Sequence, residues 1–178
     1  MLVRALDALS SHRECGPTMI FIAVDPGLTG AIAAIDEQSQ LVLCADLPVI
    51  RSGKLAWIDS NELTSLLTRC RDGRPAQISI ERSQPMPGQG VSSTFTTGVV
   101  MGSILAACQR IAIPLHLVMA NVWKRSMGLD SSKAGSLDKA RLLFPTADLS
   151  RVKDHNRGEA LLLAEYSRRM LGKSAVAA

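Results

Sequence analysis

The chain has 178 residues and a mass of 19.1 kDa, with 47% apolar and 20% charged residues, which suits one folded domain with a buried core. Three Phe, two Trp and one Tyr are too few for a wide platform that stacks unpaired bases. The net charge of +4 is unevenly spread, because residues 121–178 carry 11 Lys and Arg against 6 Asp and Glu. Such a basic segment attracts polyanions, although it can also be an ordinary solvated surface.

The ends of the chain and its cysteines indicate how many domains to expect and where the protein is located. Residues 1–18 lack a secretory pattern and end near a Gly-Pro pair, so we expect a disordered or peripheral N-terminal extension. One domain is expected over 19–173, with a tail over 174–178.

The four cysteines form no CxxC pair, which argues against structural zinc and favours a reducing, cytoplasmic location. No apolar run approaches the roughly 18–20 residues that cross a bilayer, so no membrane partner is expected.

The first half of the chain predicts a β-rich meander. Short apolar runs over 19–25, 31–36 and 41–47 are separated by turn residues, and the last two indicate a hairpin. Asp59 and Glu62 then have the spacing of a helix N-terminus, which predicts a helix through Cys70.

The second half alternates between strands and helices. In chain order we expect a strand over 77–81, a Pro/Gly loop over 82–90, a helix from Ser92 or Ser93 to about Ile111, a strand over 114–119, a short helix capped by Asn121, a loop over 128–136, a helix over 137–144 and a last helix from about Lys153 to Leu171. This order predicts an α/β fold with a mixed five-stranded sheet, in which an antiparallel hairpin meander and parallel strands are flanked by helices.

Acidic residues occupy comparable positions in this arrangement. Asp25 ends the first strand and Glu81 ends the fourth, so parallel strands would bring both to one edge of the sheet. The last helix adds Asp154, His155 and Glu159, of which His155 and Glu159 share a face. Converging carboxylates without lysine neighbours favour Mg²⁺ or Mn²⁺, and two such ions can hydrolyse a phosphodiester. Taken singly, each acid can equally be a turn residue or a helix-dipole partner.

Four segments resemble the RuvC-type Holliday junction resolvases of the RNase H-like superfamily, in their order and spacing: FIAVDPGLTGAIAAID, ISIERSQPMPGQGVSSTFTTG, VWKRSMGL and KDHNRGEALLLAEYSRR. The resemblance covers about residues 19–170 and is nearest to the phage-encoded and chloroplast-type branch. It implies an RNase H-like fold and a homodimeric endonuclease that nicks opposing strands of a four-way DNA junction. It also implies a requirement for Mg²⁺, for which Mn²⁺ can substitute, and no small-molecule cofactor.

The resemblance also assigns catalytic and metal-binding roles. Asp25 and Glu81 match the first two acids of the family, and Glu159 stands where its final acid stands. The family's other last-helix ligand lies three residues earlier, where this chain has Asn156, a poor ligand. We therefore expect that role to move to Asp154, ahead of His155, which could alternatively orient the attacking water.

DNA contacts are implied for basic and loop residues. Lys124 and Lys133 resemble the residues that hold DNA phosphates. Met86 could replace the family's aromatic wedge; the alternative is that its Pro/Gly loop presents backbone to the junction. The expected DNA-binding residues are Lys124, Arg125, Lys133, Met86, Gln89 and Arg157.

Small residues repeat along the helix that follows the Pro/Gly loop. Gly98, Gly102 and Ala106 are spaced by four, so their face either forms the dimer interface or packs on the chain's own sheet.

Three other functions are compatible with the sequence. The DPGLTG turn also resembles actin-like kinases and ATPases, but these need two lobes to enclose a nucleotide. Further alternatives are an RNase H-like nuclease acting on RNA or RNA–DNA hybrids, and a non-catalytic junction-binding protein.

Overall fold

The computed structural model describes residues 18–84, 88–130 and 133–175. The expected N-terminal extension lies outside them except for its last residue, as do Met86 and the last three residues of the expected tail. The last helix continues to Ala175, two residues past the expected end of the domain.

The described residues form seven strands and five α-helices. In chain order these are β1 (Ile20–Asp25), β2 (Ala31–Asp36), β3 (Leu41–Asp46), β4 (Val49–Ser52), β5 (Leu55–Ile58), α1 (Ser60–Arg71), β6 (Ala76–Glu81), α2 (Val91–Arg110), β7 (Leu115–Val118), α3 (Ala120–Ser126), α4 (Lys133–Leu143), a 3-10 turn (Val152–Asp154) and α5 (His155–Ala175).

Five of the strands form one mixed sheet in the order β3-β2-β1-β6-β7. β2 pairs antiparallel with both β1 and β3, whereas β6 pairs parallel with both β1 and β7. The predicted α/β fold, with an antiparallel meander joined to parallel strands and flanked by helices, is therefore confirmed.

The core has one layer on each face of this sheet. Alternation along β1 directs Ile22 and Val24 toward the layer that includes α1 and α2, and Phe21 and Ala23 toward the layer that includes α3, α4 and α5. Because both faces are covered, β1 and β2 are apolar up to their final Asp, and β6 is buried along its length up to Glu81. α5 packs across β1 and β2 on its side, and this position decides what its first turns can reach.

The β4–β5 hairpin was not predicted. Its two strands have four residues each, and one turn residue, Gly53, adopts a left-handed φ of 58°. Five of its eight strand positions are exposed, and its apolar residues fall in two runs of two and four residues, which are shorter than the runs that identified the other strands. Val49 and Ile58, which pair with each other, attach the hairpin to the core below α1 and α2.

Several helix ends also differ from the sequence prediction. Asp59 caps α1 as expected, through hydrogen bonds of 3.1 Å from the amides of Asn61 and Glu62. The predicted loop over 128–136 is shorter, because α4 already begins at Lys133. Tertiary packing overrides the loop-like composition there: a Cβ on Gly158 of α5 would lie 3.2 Å from Cβ of Ala140, so the two helices touch closely.

The remaining differences lie at the other helix N-termini. α2 begins at Val91 with Gly90 as its N-cap, and α3 begins at Ala120 with Met119 as its N-cap, so neither the serines nor Asn121 cap them.

α2 bears on the expectation from the sequence that no segment is long and apolar enough to cross a bilayer. By length and composition it could cross a membrane, with a mean hydropathy of 1.5 over its 18-residue window. A single helix of this kind is weak evidence for a membrane span, because helices of soluble cores pass the same test. Here α2 packs against α1 and contributes Val100 and Ile104 to the core.

Candidate functional site

Asp25 and Glu81 lie next to each other at the carboxyl ends of adjacent parallel strands. The β1–β6 register ends with Val24 opposite Ile80, and each acid follows its member of this pair. Since Val24 and Ile80 face the α1–α2 layer, alternation turns both acids toward the α5 layer. Both side chains are half-buried there. The prediction that these two strand ends meet at one edge is therefore confirmed.

The turn after Asp25 is tightly closed on its own backbone. The Gly30 amide donates to the Gly27 carbonyl over 3.0 Å. A Cβ on Gly30 would lie 2.2 Å from the Asp25 carbonyl oxygen, so only glycine fits at this position. The Asn156 amide of α5 donates hydrogen bonds to Thr29 in this turn, which fixes the turn against the start of the helix.

Trp123 of α3 holds the Glu81 carboxylate. The indole Nε1 donates a hydrogen bond of 2.8 Å to Oε2 of Glu81. Burial raises the pKa of Glu81 above its usual value; the Trp123 hydrogen bond opposes this, the nearby negative charge of Glu159 adds to it, and Lys124 opposes it. The pair Glu81 and Glu159 therefore forms a site in which added positive charge is favourable.

Lys124 supplies positive charge to the last of these acids. Its Nζ lies 2.7 Å from Oε1 of Glu159, a residue that is only 7% exposed. The same ammonium lies 5.3 Å from the centroid of the Trp123 ring. We call Asp25, Glu81, Glu159, Trp123 and Lys124 the acid site. The expectation that its carboxylates have no lysine neighbour is wrong.

The acid site fits a divalent cation in donor chemistry. Carboxylate oxygens are the ligands that Mg²⁺ prefers, and the Lys124 ammonium already occupies a cation position on Glu159. Among residues 18–84, 88–130 and 133–175, however, no three metal-ligating side chains are clustered tightly enough to form a site as they stand.

Asp154 was expected to turn toward the other acids, and the structure places it differently. Its carboxylate accepts hydrogen bonds from the Arg151 amide (2.7 Å) and the Arg151 Nε (2.8 Å), and Nε of Arg157 lies 4.0 Å away. Hydrogen bonding from Arg151 lowers the pKa of this buried carboxyl. The structure brings Asp154 to two arginines rather than to Glu81 or Glu159, because the 3-10 turn places its carboxylate over the Arg151 backbone.

His155 is the first residue of α5 and is half-buried. It borders two depressions, one against α4 and one against the β4–β5 hairpin. Its role as a ligand or a water-orienting residue stays a prediction.

The expected DNA-binding residues have different surroundings. Arg125 is exposed on α3, and Lys133 is the first residue of α4 rather than part of a loop. The Gln89 side chain hydrogen-bonds Ser93 over 3.1 Å, which directs it onto α2.

Arg157 departs furthest from the expected DNA-binding role. Its Nε lies 2.6 Å from Asp46, and the side chain is 15% exposed, so it braces α5 against β3. An arginine held in this way is poorly placed for DNA.

Two residues that contact the acids were not predicted from the sequence, Trp123 and Arg151. Trp123 was placed on the correct short helix, but its contact with Glu81 was not foreseen. A buried tryptophan needs an acceptor for its N–H, and that requirement was the available signal. Arg151 was also missed, because the ion pair that keeps Asp154 from the acid site depends on backbone geometry in the 3-10 turn.

Comparison with solved structures identifies the fold. RuvC from Thermus thermophilus in complex with Holliday junction substrate aligns with a TM-score of 0.62 and 14% identity, covering 85% of this chain and 96% of that chain. A second Thermus thermophilus RuvC structure aligns with a TM-score of 0.53 and 15% identity over the same shares of both chains. The sequence matches no protein-family profile and no curated protein. This chain therefore has the RNase H-like fold of the solved RuvC structures, as its motifs predicted.

Proposed function

We propose that this protein is a metal-dependent endonuclease that resolves four-way DNA junctions. The observation that carries the proposal is the convergence of Asp25, Glu81 and Glu159 on one sheet edge, within a fold shared with a RuvC that was solved on a Holliday junction. The proposed branch, phage-encoded or chloroplast-type, rests on the sequence motifs alone.

The acid site would hold Mg²⁺, or Mn²⁺ in its place, through Asp25, Glu81 and Glu159. When bound, two such ions activate water and stabilise the leaving oxygen of the phosphodiester. Trp123 keeps one Glu81 oxygen engaged, so the other is presented in a fixed direction. A cation held by Glu159 would replace the Lys124 ammonium there, and Lys124 would then be available to a DNA phosphate, in keeping with the phosphate-holding role predicted for it.

The DNA substrate is favoured over an RNA–DNA hybrid by the same sequence segments that resemble the resolvases. The basic segment over 121–178 supports binding of a polyanion in either case. Retention of all three acids favours an active enzyme over a non-catalytic junction-binding protein.

A homodimer would place two acid sites on one junction, and α2 offers a surface for it. Gly98, Gly102 and Ala106 are exposed, and Cβ atoms built on the two glycines would meet no atom of the described residues within 4 Å. Phe95 on the same helix is 72% exposed. This face does not pack on the chain's own sheet, so it is free to approach a second copy closely.

The dimer is tested by sedimentation. Gly102→Glu places a charge on this face and should convert a dimer to a monomer, whereas Lys54→Glu on the hairpin should leave the mass unchanged. A monomeric wild-type protein at micromolar concentration would contradict the dimer.

Cleavage of matched substrates tests the nuclease. A mobile four-way junction, a duplex of the same sequence and an RNA–DNA hybrid are incubated with Mg²⁺ and wild-type protein or Glu81→Gln. We expect symmetric nicks in the junction only, and at least a hundredfold loss in the variant with binding retained. Preferred cleavage of the hybrid would favour the RNase H-like alternative, and binding without cleavage would favour the non-catalytic one.

A further inference from the structure

A groove of about 460 Å³ runs between the β4–β5 hairpin and the start of α5. One wall carries Arg51 from β4, and the other carries Lys153 and Arg151 from the segment that enters α5. Its floor is the β1–β2 turn over 28–30. We call this feature the hairpin groove.

The hairpin groove is positively charged. Three of its lining side chains are cations, Arg51, Arg151 and Lys153, and Asp46 is its acid. That acid is already engaged, because Asp46 lies 2.6 Å from Arg157 and 3.6 Å from Arg151. Since Arg151 also pairs with Asp154, these two arginines and two aspartates balance in charge, and the net positive charge of the groove comes from Arg51 and Lys153.

Two of the three cations are available to a ligand. Arg51 and Lys153 are exposed, and neither forms an ion pair with any residue in the described parts of the chain. Arg151 differs, because its guanidinium is 2.5 Å from Asp154 and shapes the wall instead. Two free cations on opposite walls suit a ligand with anionic groups along its length.

The hairpin groove lies at the same edge of the sheet as the acid site, because Asp46 ends β3 at the edge where Asp25 ends β1. Its floor, the turn over 28–30, begins three residues after Asp25, and Asn156 fastens that turn to α5. His155 and Asn156 line the groove, and Glu159 follows on the same helix one turn later. A nucleic-acid strand with its scissile phosphate at the acids can therefore extend into the groove.

We propose that the hairpin groove binds the phosphate backbone of the DNA strand being cut, to one side of the scissile phosphate. Arg51 and Lys153 each contact one phosphate, Arg51 through its planar guanidinium fork and Lys153 as a point charge. These contacts position the strand and do not read its sequence. The proposal rests on the proposed nuclease function, and it assigns to the unpredicted β4–β5 hairpin a part in holding the substrate.

Binding measurements in EDTA, where no metal-dependent cleavage occurs, test the charge contribution. Affinity for a four-way junction is measured at several salt concentrations for wild type, Arg51→Glu, Lys153→Glu and Arg110→Glu. Arg110 is an exposed arginine at the last position of α2, a helix that starts at the acid edge and runs back toward the opposite one. It is the matched control when sedimentation shows that its variant keeps the wild-type mass, because Arg110 lies one helical turn after Ala106 on the proposed dimer face. Each groove variant should weaken binding about tenfold near 0.1 M salt and flatten the salt slope by about one unit, as loss of one phosphate contact predicts.

Neutral methylphosphonates identify the position of the contacts. Single phosphates near the cleavage position are replaced one at a time in the junction. Wild type should lose affinity at one or two replaced positions on one side of the cut. Arg51→Ala should bind more weakly throughout and lose no further affinity at its own position, whereas Arg110→Ala should keep the wild-type pattern.

The outcomes separate this proposal from the nuclease itself. If the groove variants bind like Arg110→Glu while wild type cleaves junctions, the groove proposal is overturned and the nuclease stands. If wild type binds no nucleic acid, both fail. If the groove variants instead lose affinity for a free mononucleotide or an acidic peptide and keep it for the junction, the groove takes a different anion and the proposal is overturned.

Discussion

The indole Nε1 of Trp123 donates a 2.8 Å hydrogen bond to Oε2 of Glu81, and the tryptophan is itself completely buried. A short helix that follows the edge strand thereby orients a carboxylate that ends a central strand. The adjacent residue, Lys124, contacts Glu159 from the same helix. α3 therefore controls two of the three acids, although it contributes no acid of its own.

Trp123→Phe should raise the Mg²⁺ concentration needed for half-maximal cleavage by about tenfold, because a smaller aromatic ring remains in the core but the indole N–H that orients Glu81 is lost. The measurement is cleavage rate against Mg²⁺ concentration. Trp57→Phe, at the partly exposed tryptophan of β5, is the matched control and should leave the curve unchanged. Equal curves for wild type and Trp123→Phe would show that Glu81 needs no such support.

Lys124→Met should strengthen metal binding and weaken DNA binding, a combination that loss of an ordinary surface lysine would not produce. Removal of the ammonium from Glu159 leaves like charges unopposed, so Mn²⁺ should bind more tightly in the absence of DNA. Junction affinity should fall and its salt slope should flatten by about one unit, as one lost phosphate contact predicts. Calorimetry with Mn²⁺ and filter binding at several salt concentrations check the two effects. Unchanged values in both would remove Lys124 from the site.

Lys133→Ala is a separate test of DNA binding. We expect weaker junction binding and a salt slope that is flatter by about one unit, because Lys133 is predicted to hold one phosphate. Affinity equal to that of wild type at two salt concentrations would show that Lys133 contacts no phosphate and is an ordinary solvated residue.

Asp154→Asn and Glu159→Gln should fail in different ways. Glu159→Gln should reduce cleavage as much as Asp25→Asn, at least a hundredfold, with little change in stability. Asp154→Asn should keep cleavage within about fivefold at low temperature and lower the free energy of unfolding by about 1–2 kcal/mol, because it weakens the hydrogen bonds that the buried Asp154 carboxylate accepts from the backbone and the partly exposed side chain of Arg151. Denaturation and cleavage are measured on the same samples. A stable but inactive Asp154→Asn would restore Asp154 as a metal ligand.

Glu165→Gln should destabilise the fold in a pH-dependent way. Burial acts to raise the pKa of Glu165, but hydrogen bonds from Arg168, Arg169 and Ser39 outweigh it and lower the pKa to about 2. A carboxyl group whose pKa is lower in the folded state stabilises that state at pH values above its pKa in the unfolded chain. This contribution is lost as the pH falls to its pKa in the folded state. The variant should therefore be about 2–3 kcal/mol less stable at pH 7, and the difference should shrink between about pH 4.5 and pH 2.

The control for Glu165 is Glu62→Gln, which removes an exposed pair with Arg69. Exposed pairs contribute little, so its stability should stay within about 1 kcal/mol of wild type. Loss of stability that is constant across the pH range would contradict the linkage assigned to Glu165.

The sheet was predictable from the sequence because its strands are short, apolar and punctuated by turn residues. Asp25 and Glu81 could be placed for the same reason: each ends a strand whose boundaries the pattern defines, and parallel strands end at one edge. The β4–β5 hairpin escaped prediction, since largely exposed strands of four residues leave no such pattern.

The surroundings of the acids were less predictable, because they depend on side-chain contacts across the fold. Glu159 was assigned by its position in the last-helix motif, but its neighbour Lys124 comes from 35 residues away. Asp154 was given to the metal because a residue at a helix start has backbone freedom. In the structure the Asp154 carboxylate instead accepts hydrogen bonds from the backbone amide and Nε of Arg151, three residues earlier.

The pairing of Val24 with Ile80 also limits how related chains can change in length. One residue inserted within β6 would turn Glu81 to the opposite face of the sheet, into the layer of α1 and α2. Two inserted residues would restore the face but carry the carboxylate about 6.6 Å farther along the strand, beyond the reach of an ion shared with Asp25. Insertions and deletions among descendants of this chain should therefore fall in the connections, such as the β4–β5 turn, and not within the two strands that end on the acids.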